Sequence, residues 1–258
     1  MTKFHVNVCL APPAAGDVDA ALAAAMAPFD HNLTSDGNPA GEWDWWCIDG
    51  GPGSRFAVRP EHDGDPRLVY GDDEAEPLRC DGGPRGLLDF PATRRHAVER
   101  ARGEWRAQQH DFRRLVADHP GARPLTAFLA RHEADPVGYP RERAVADHHA
   151  QPLVRALSHS SAWERYPSLG VRMLHPDSDP ITELTRDPQP DFDRAAAWAI
   201  TAYALLTAAG QWIDPEQLGP FAAPRDGEAA TDAYVRQADA YLDTIGDDYL
   251  IVRLLCHS

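Results

Sequence analysis

Lysine is almost missing from this chain. Lys3 is the only one, and arginine supplies the rest of the 25 basic residues. Against them stand 40 acidic residues, for a formal net charge of -15 over 258 residues. That balance argues against a nucleic-acid partner, because a phosphate backbone would be repelled. The one local basic patch, Arg94, Arg95, Arg100 and Arg102, fits a solvated helix face. Cysteine is scarce as well. Cys9, Cys47, Cys80 and Cys256 are far apart and form no CxxC pair, which points to buried free thiols and not to a disulfide framework or a zinc site. No apolar run reaches the roughly 18 to 20 residues of a membrane span. The Ala-rich stretch 195–209 is interrupted by Thr201. The N-terminal residues carry no basic region and no apolar signal core. These absences lead us to expect a cytoplasmic protein with no membrane segment.

Familiar catalytic motifs are also lacking. There is no GxGxxG between a strand and a helix, no Walker loop, no GxSxG elbow and no HExxH. Gly50-Gly51 and Gly82-Gly83 lie in turns and are poor phosphate cradles. Asp72-Asp73-Glu74 and Asp247-Asp248 read as solvated turns or caps. His148 and His149 are neighbours, which on a helix point about 100° apart and rarely share an ion. With Asp147 and His110 they make a conceivable metal set, but an exposed polar face is the plainer reading. The sequence names no metal ligands and no cofactor.

At 43% apolar residues the chain can still bury a sizeable core. Phe4-His5-Val6-Asn7-Val8-Cys9-Leu10 alternates as a half-buried strand does. Asp17 is placed to cap a helix running to about Phe29. The Trp run Trp43-Asp44-Trp45-Trp46-Cys47-Ile48 predicts a second strand, with Phe56-Ala57-Val58 as its hairpin partner. Leu68-Val69-Tyr70 is a further strand candidate. The middle is helical: Pro91 to Asp118, a short helix around Leu125 to Leu129, and Arg141 to Leu157 with a break at Pro152. Residues 158–190 look irregular. Residues 191–209 pass as one Ala-rich helix, yet 202–213 also reads as a strand, tight turn and strand, and we favour the hairpin. Thr231 to Ile245 is an amphipathic helix that Gly246 ends. Tyr249 to Cys256 is apolar nearly throughout and suits a central strand. The order of elements at the two ends predicts a single α+β domain. Its N- and C-terminal segments would form an antiparallel sheet of ferredoxin-like type. The middle, about 87–175, is a helical insertion.

Four stretches in matching order carry a resemblance. The Trp-Asp-Trp run before Gly50-Gly51 is similar to the "KWDWYxIGGRW" signature of uncharacterised proteins of tailed phages and actinobacterial genomes. His149-Ala150-Gln151-Pro152 resembles a "xAQPxVxAL" stretch, and Tyr203 to Trp212 a "YAVLKDGxWYE" hairpin. Asp247 to His257 resembles the terminal "DDTLLTVVDCH" strand. Asp49 before the glycines, and Pro52-Gly53 in place of Arg-Trp, depart from the pattern. The resemblance implies a fold and a phage or mobile-element origin. It implies no reaction.

The candidate site follows from strand alternation. His5, Asn7 and Cys9 share a face of the first strand; Tyr249, Ile251, Arg253, Leu255 and His257 share one of the last; Trp43, Trp45, Cys47 and Asp49 share one of the Trp strand. A sheet face left open by the helices would bring His5, Asn7, Arg253, His257 and Trp side chains together, with Trp212 of the hairpin beside them. Arginine supplies an anion fork, tryptophan a stacking surface and histidine a group that titrates near neutral pH. His5 and His257 are therefore the candidate catalytic groups, and Asn7, Trp43, Trp45, Trp212 and Arg253 the candidate ligand contacts. The expected partner is a small anionic or aromatic ligand or another protein. The plainer alternative is that His5 and Arg253 are polar groups at the edge of the core and that the Trp side chains pack under the insertion. Three functions fit, in this order: a binding or interaction protein using an open sheet face; a small-molecule enzyme with a His/Arg/Trp cleft; a metal- or haem-dependent enzyme on a paired ferredoxin-like barrel.

Overall fold

The computed structural model describes residues 3–12, 17–49, 51, 53–72, 76–158, 179–215 and 227–258. Gly50, Pro52, Asp73, Glu74 and the proline-bearing stretch 159–178 named above lie outside them. The chain divides into two compact units: Met1–Val98 with Asp193–Ser258, and Glu99–Phe192. The whole is mixed α and β.

The first unit holds the sheet. Strand β1 (Lys3–Leu10) alternates as its sequence predicts, turning Phe4, Val6 and Val8 to one face and His5, Asn7 and Cys9 to the other. Helix α1 (Val18–Met26) starts where Asp17 accepts a hydrogen bond from the Ala20 N–H at 3.0 Å, satisfying an orphan donor of the first turn. Strand β2 is Trp45–Ile48, and β3 (Phe56–Ala57) pairs with β4 (Arg79–Cys80), not with the Trp strand. Val69 contributes only a bridge to Gly82. Strand β5 (Gly82–Pro84) can approach its neighbour because residue 82 lacks a side chain. A Cβ there would lie 2.5 Å from the Ile251 carbonyl oxygen.

Strand β8 (Leu250–His257) is the centre of the sheet. It pairs antiparallel with β1 along one edge, and with β2 and β5 along the other. Its near-continuous burial matches its near-continuous apolar sequence. Residues 191–213 divide as follows. A helix ends at Trp198, and strands β6 (Ala204–Leu206) and β7 (Trp212–Ile213) form the hairpin. Yet β6 runs parallel to β1, with Val6 opposite Ala204. The expected wholly antiparallel, ferredoxin-like sheet is therefore corrected to a mixed one. Residues 11–203, with strands β2 to β5 and several helices, lie between the two strands of this parallel pair.

Both faces of this sheet are packed. On one, Leu22 and Met26 of α1 meet Val6, Val8, Leu206, Val252 and Leu254. On the other, Tyr234, Val235, Ala238 and Leu242 of the helix Gly227–Thr244 meet Cys9, Leu205, Ile213 and Ile251, with Phe56, Leu88 and Phe90 beside them. So the second face is not free along its length. Among the described residues it is partly exposed toward the His5 and His257 end.

Between those regions lies a buried polar cluster. Asn7 and Arg253 are opposite each other on β1 and β8, and both are buried. Arg253 Nε donates to Asn7 Oδ1 at 3.0 Å, Nη2 to the Thr201 carbonyl at 2.9 Å, and Nη1 to the Ser54 carbonyl. Asn7 Nδ2 donates to the Ile200 carbonyl at 2.8 Å. The Phe56 ring covers the guanidinium at 4.5 Å. A second buried pair, Arg55 to Asp81 at 3.2 Å, ties the turn before β3 to β5. Removing Arg253 leaves two buried acceptors and one part-buried acceptor without this donor. Arg253→Met is expected to lower the unfolding free energy by about 3 kcal/mol or more, read by urea denaturation.

The second unit is helical. Helix α2 (Phe90–Asp118) begins in the first unit and ends in this one; α3 (Leu125–Ala134), α4 (Arg141–His149), α5 (Pro152–Ser158) and α6 (Pro180–Thr185) follow. The break at Pro152 falls where the sequence predicts it. Phe112, Leu115, Leu153, Leu157 and Leu184 form the core. His148 is fully buried, against the Phe128 ring, and neither ring nitrogen makes a hydrogen bond. Its Nε2 lies 3.4 Å from Asp179 Oδ1, while Asp179 also accepts from the Leu125 and Ile181 N–H groups. Burial lowers the His148 pKa; Asp179 opposes this and His149 adds to it. A histidine whose folded pKa lies below its unfolded value of about 6.5 takes its proton more readily in the unfolded chain. Stability is therefore full above about pH 6.5 and falls as the pH drops below it. His148→Leu is expected to flatten that acid limb. Urea unfolding at about pH 7.5 and pH 5.5 checks it; an unchanged limb refutes the assignment.

Candidate functional site

The seven residues singled out by the sequence do not form one cluster. Asn7 and Arg253 are on the expected face but buried in the polar cluster, where their hydrogen-bonding groups serve the fold. Burial lowers the Arg253 pKa to about 10, so it remains a cation at neutral pH. It is nevertheless not an exposed anion anchor, and this corrects the expectation for both residues. Trp212 is on the opposite face, packed on Phe29 with ring centroids 5.0 Å apart, its indole N–H donating to Asp214.

Trp43 is corrected too. The backbone bends at Asp44, so the alternation across 43–45 is broken and β2 begins only at Trp45. Trp43 is buried on the α1 side with Trp46 and Ile48, and its indole N–H donates to the Met26 carbonyl at 3.2 Å. Trp45 is half exposed, at 50%. The β2–β8 register puts Trp45 opposite His257 and Cys47 opposite Leu255. The β1–β8 register puts Lys3 opposite His257 and His5 opposite Leu255. His5, His257 and Trp45 are thus brought together at the partly open end of one face, with Lys3, Cys47 and Asp49 around them. His5 and His257 are diagonal neighbours, a spacing of about 7 to 8 Å between backbones.

Each histidine has its own environment. His257 Nδ1 lies 2.6 Å from Asp44 Oδ1. A carboxylate only accepts, so Nδ1 is the donor of this pair. The Asp44 N–H also donates to the His257 carbonyl at 2.9 Å, fixing the two residues together. The His5 pKa is lowered by burial first and Arg253 second, against the opposing charge of Asp49. Its Nε2 is buried and has no hydrogen-bond partner. A Cβ on Gly51 would lie 4.0 Å from that nitrogen. Gly51 adopts φ +65 and donates its N–H to Asp49 Oδ1 at 2.6 Å.

Asp44 was not among the sequence candidates. A strict strand pattern points it away from Trp45; only the bend brings its carboxylate to His257. Its one signal was its place inside the Trp run. The cysteines contribute no nucleophile where their state is resolved: burial pushes the Cys9 thiol up, and those of Cys80 and Cys256 to about 12. Among the described residues, no group of three or more His, Cys, Asp or Glu could hold a metal ion. No helix among them is long and apolar enough to cross a membrane.

No protein-family model, no curated protein and no solved structure matches this chain.

The two Trp side chains separate by substitution. Trp43→Ala removes a buried indole and is expected to cost about 3 to 5 kcal/mol. Trp45→Ala is expected to stay within about 0.5 kcal/mol of the parent. Urea denaturation of both variants checks this, and a large loss in Trp45→Ala would place that ring in the core.

Proposed function

We propose that this chain is a binding protein and that it works through the partly open end of its sheet face. The observation that carries this reading is the half-exposed Trp45 indole, held across the sheet from the hydrogen-bonded His257–Asp44 pair. An exposed aromatic on a strand fixed in the sheet loses little entropy when a ligand stacks on it. The polar groups around it set orientation, as in most small-molecule sites. A phage or mobile-element origin belongs to the same proposal. It is supported by the four matching stretches of sequence.

The His257–Asp44 geometry favours one second reading, that of a small-molecule enzyme. Asp44 holds the Nδ1 proton, and Nε2 is then the basic atom, able to take a proton from a substrate stacked on Trp45. Arg253 has no part in either reading.

A thermal-shift screen of nucleotides, amino acids, amines and organic acids tests the proposal. Saturable stabilisation is expected, and it is expected to vanish in Trp45→Ala and in His257→Ala. Stabilisation that survives both substitutions would move the site elsewhere. Chemical turnover of a bound compound, lost in His257→Ala, would select the enzyme reading.

A further inference from the structure

Resting on that reading of the open end as a binding site, we propose that its ligand is a small organic cation, an ammonium or a guanidinium, seated on the Trp45 indole.

The charges at this end support a cation over an anion. The sequence placed an anion fork here, but Arg253 spends its Nε, Nη1 and Nη2 on Asn7, Ser54 and Thr201 beneath the surface. His5 adds no positive charge at neutral pH, because burial and Arg253 hold its imidazole neutral. Strand β2 is instead bracketed by carboxylates: Asp44 just before Trp45, and Asp49 just after Ile48. Lys3 is the opposing charge, exposed and on a flexible stem opposite His257. At the surface the two carboxylates face Lys3, and the buried Arg253 cation lies beneath them. The chain's formal charge of -15 adds a long-range field that draws cations in.

The shapes agree with the charges. An indole face attracts a cation through the negative centre of its ring, and tryptophan does so best of the aromatics. His5 Nε2 is buried and without a partner, on the same sheet face as Trp45 but on the far side of β8.

The test uses the full chain with 15N-labelled tryptophan, followed by indole N–H resonances in NMR. Tetramethylammonium and methylguanidinium chlorides are the probes; sodium benzoate and neutral indole are the comparisons, all at matched ionic strength. The cations are expected to shift the Trp45 resonance saturably at millimolar concentration. Trp45→Ala, read by thermal shift because it lacks the reporting indole, is expected to weaken tetramethylammonium binding roughly tenfold, the scale of a partly desolvated cation–π contact. Asp49→Asn is expected to weaken it without unfolding the protein. Tighter binding of benzoate or indole at Trp45 overturns the cation assignment and leaves the binding site standing. No response of Trp45 to any of the four compounds overturns both.

Discussion

The fold depends on taking one guanidinium out of water. Arg253 sits on the central strand and is buried, and such a charge is stable only when its donors are matched. Here the match is made by neutral acceptors drawn from three separate places: the β1 side chain of Asn7, the Ser54 carbonyl and the Thr201 carbonyl. Each acceptor fixes the segment that carries it. The β1–β8 register, the turn before β3 and the approach to β6 are therefore set by one side chain. Asn7 extends the constraint by bonding Ile200, the residue next to Thr201. Hydrophobic burial on the two sheet faces supplies the bulk of the stabilisation, and its alternation also constrains register.

That constraint divides one sheet face into two regions. Around Arg253, Cys9 and Ile251 the face is closed by Phe56 and by the helix Gly227–Thr244. Beyond Leu255 it is partly open, and the groups there differ in kind. Trp45 is held by the strand ladder, His257 is oriented by Asp44, and a Cβ on Gly51 would lie 4.0 Å from His5 Nε2. The closed region gives the open one its rigidity. A site built on paired strands keeps its geometry better than one carried on loops.

Much of this was legible in the sequence, because the relevant signals are local. Alternation along β1 and β8 assigned the two faces, Asp17 marked the start of α1, and Pro152 marked the break between α4 and α5. The hairpin at 202–213 could be told from a helix by its turn residues. What could not be read was anything decided by distant partners. The parallel pairing of β6 with β1 joins residues about 200 apart, and nothing near Ala204 announces it. The sequence also could not say that the face bearing Arg253 would be roofed by Phe56, so a structural cation resembled a ligand anchor. At Asp44 a single bend separated Trp43 from Trp45 and created the pair with His257. Periodicity averages over a strand and is blind to one irregular residue.

The position of β8 also has a kinetic meaning. The hydrogen bond between Arg253 and Asn7 spans 246 residues. Until β8 is present, β1 has no antiparallel partner, and neither β2 nor β5 has a sheet to join. Contacts so far apart in sequence close slowly, because loop entropy is lost before they form. The helices of residues 99–192 rest on nearer contacts and need no such wait. During synthesis the chain therefore carries an apolar first strand, shielded on one face by α1, for most of its length. That interval, and not the finished fold, is where this protein is most exposed to aggregation.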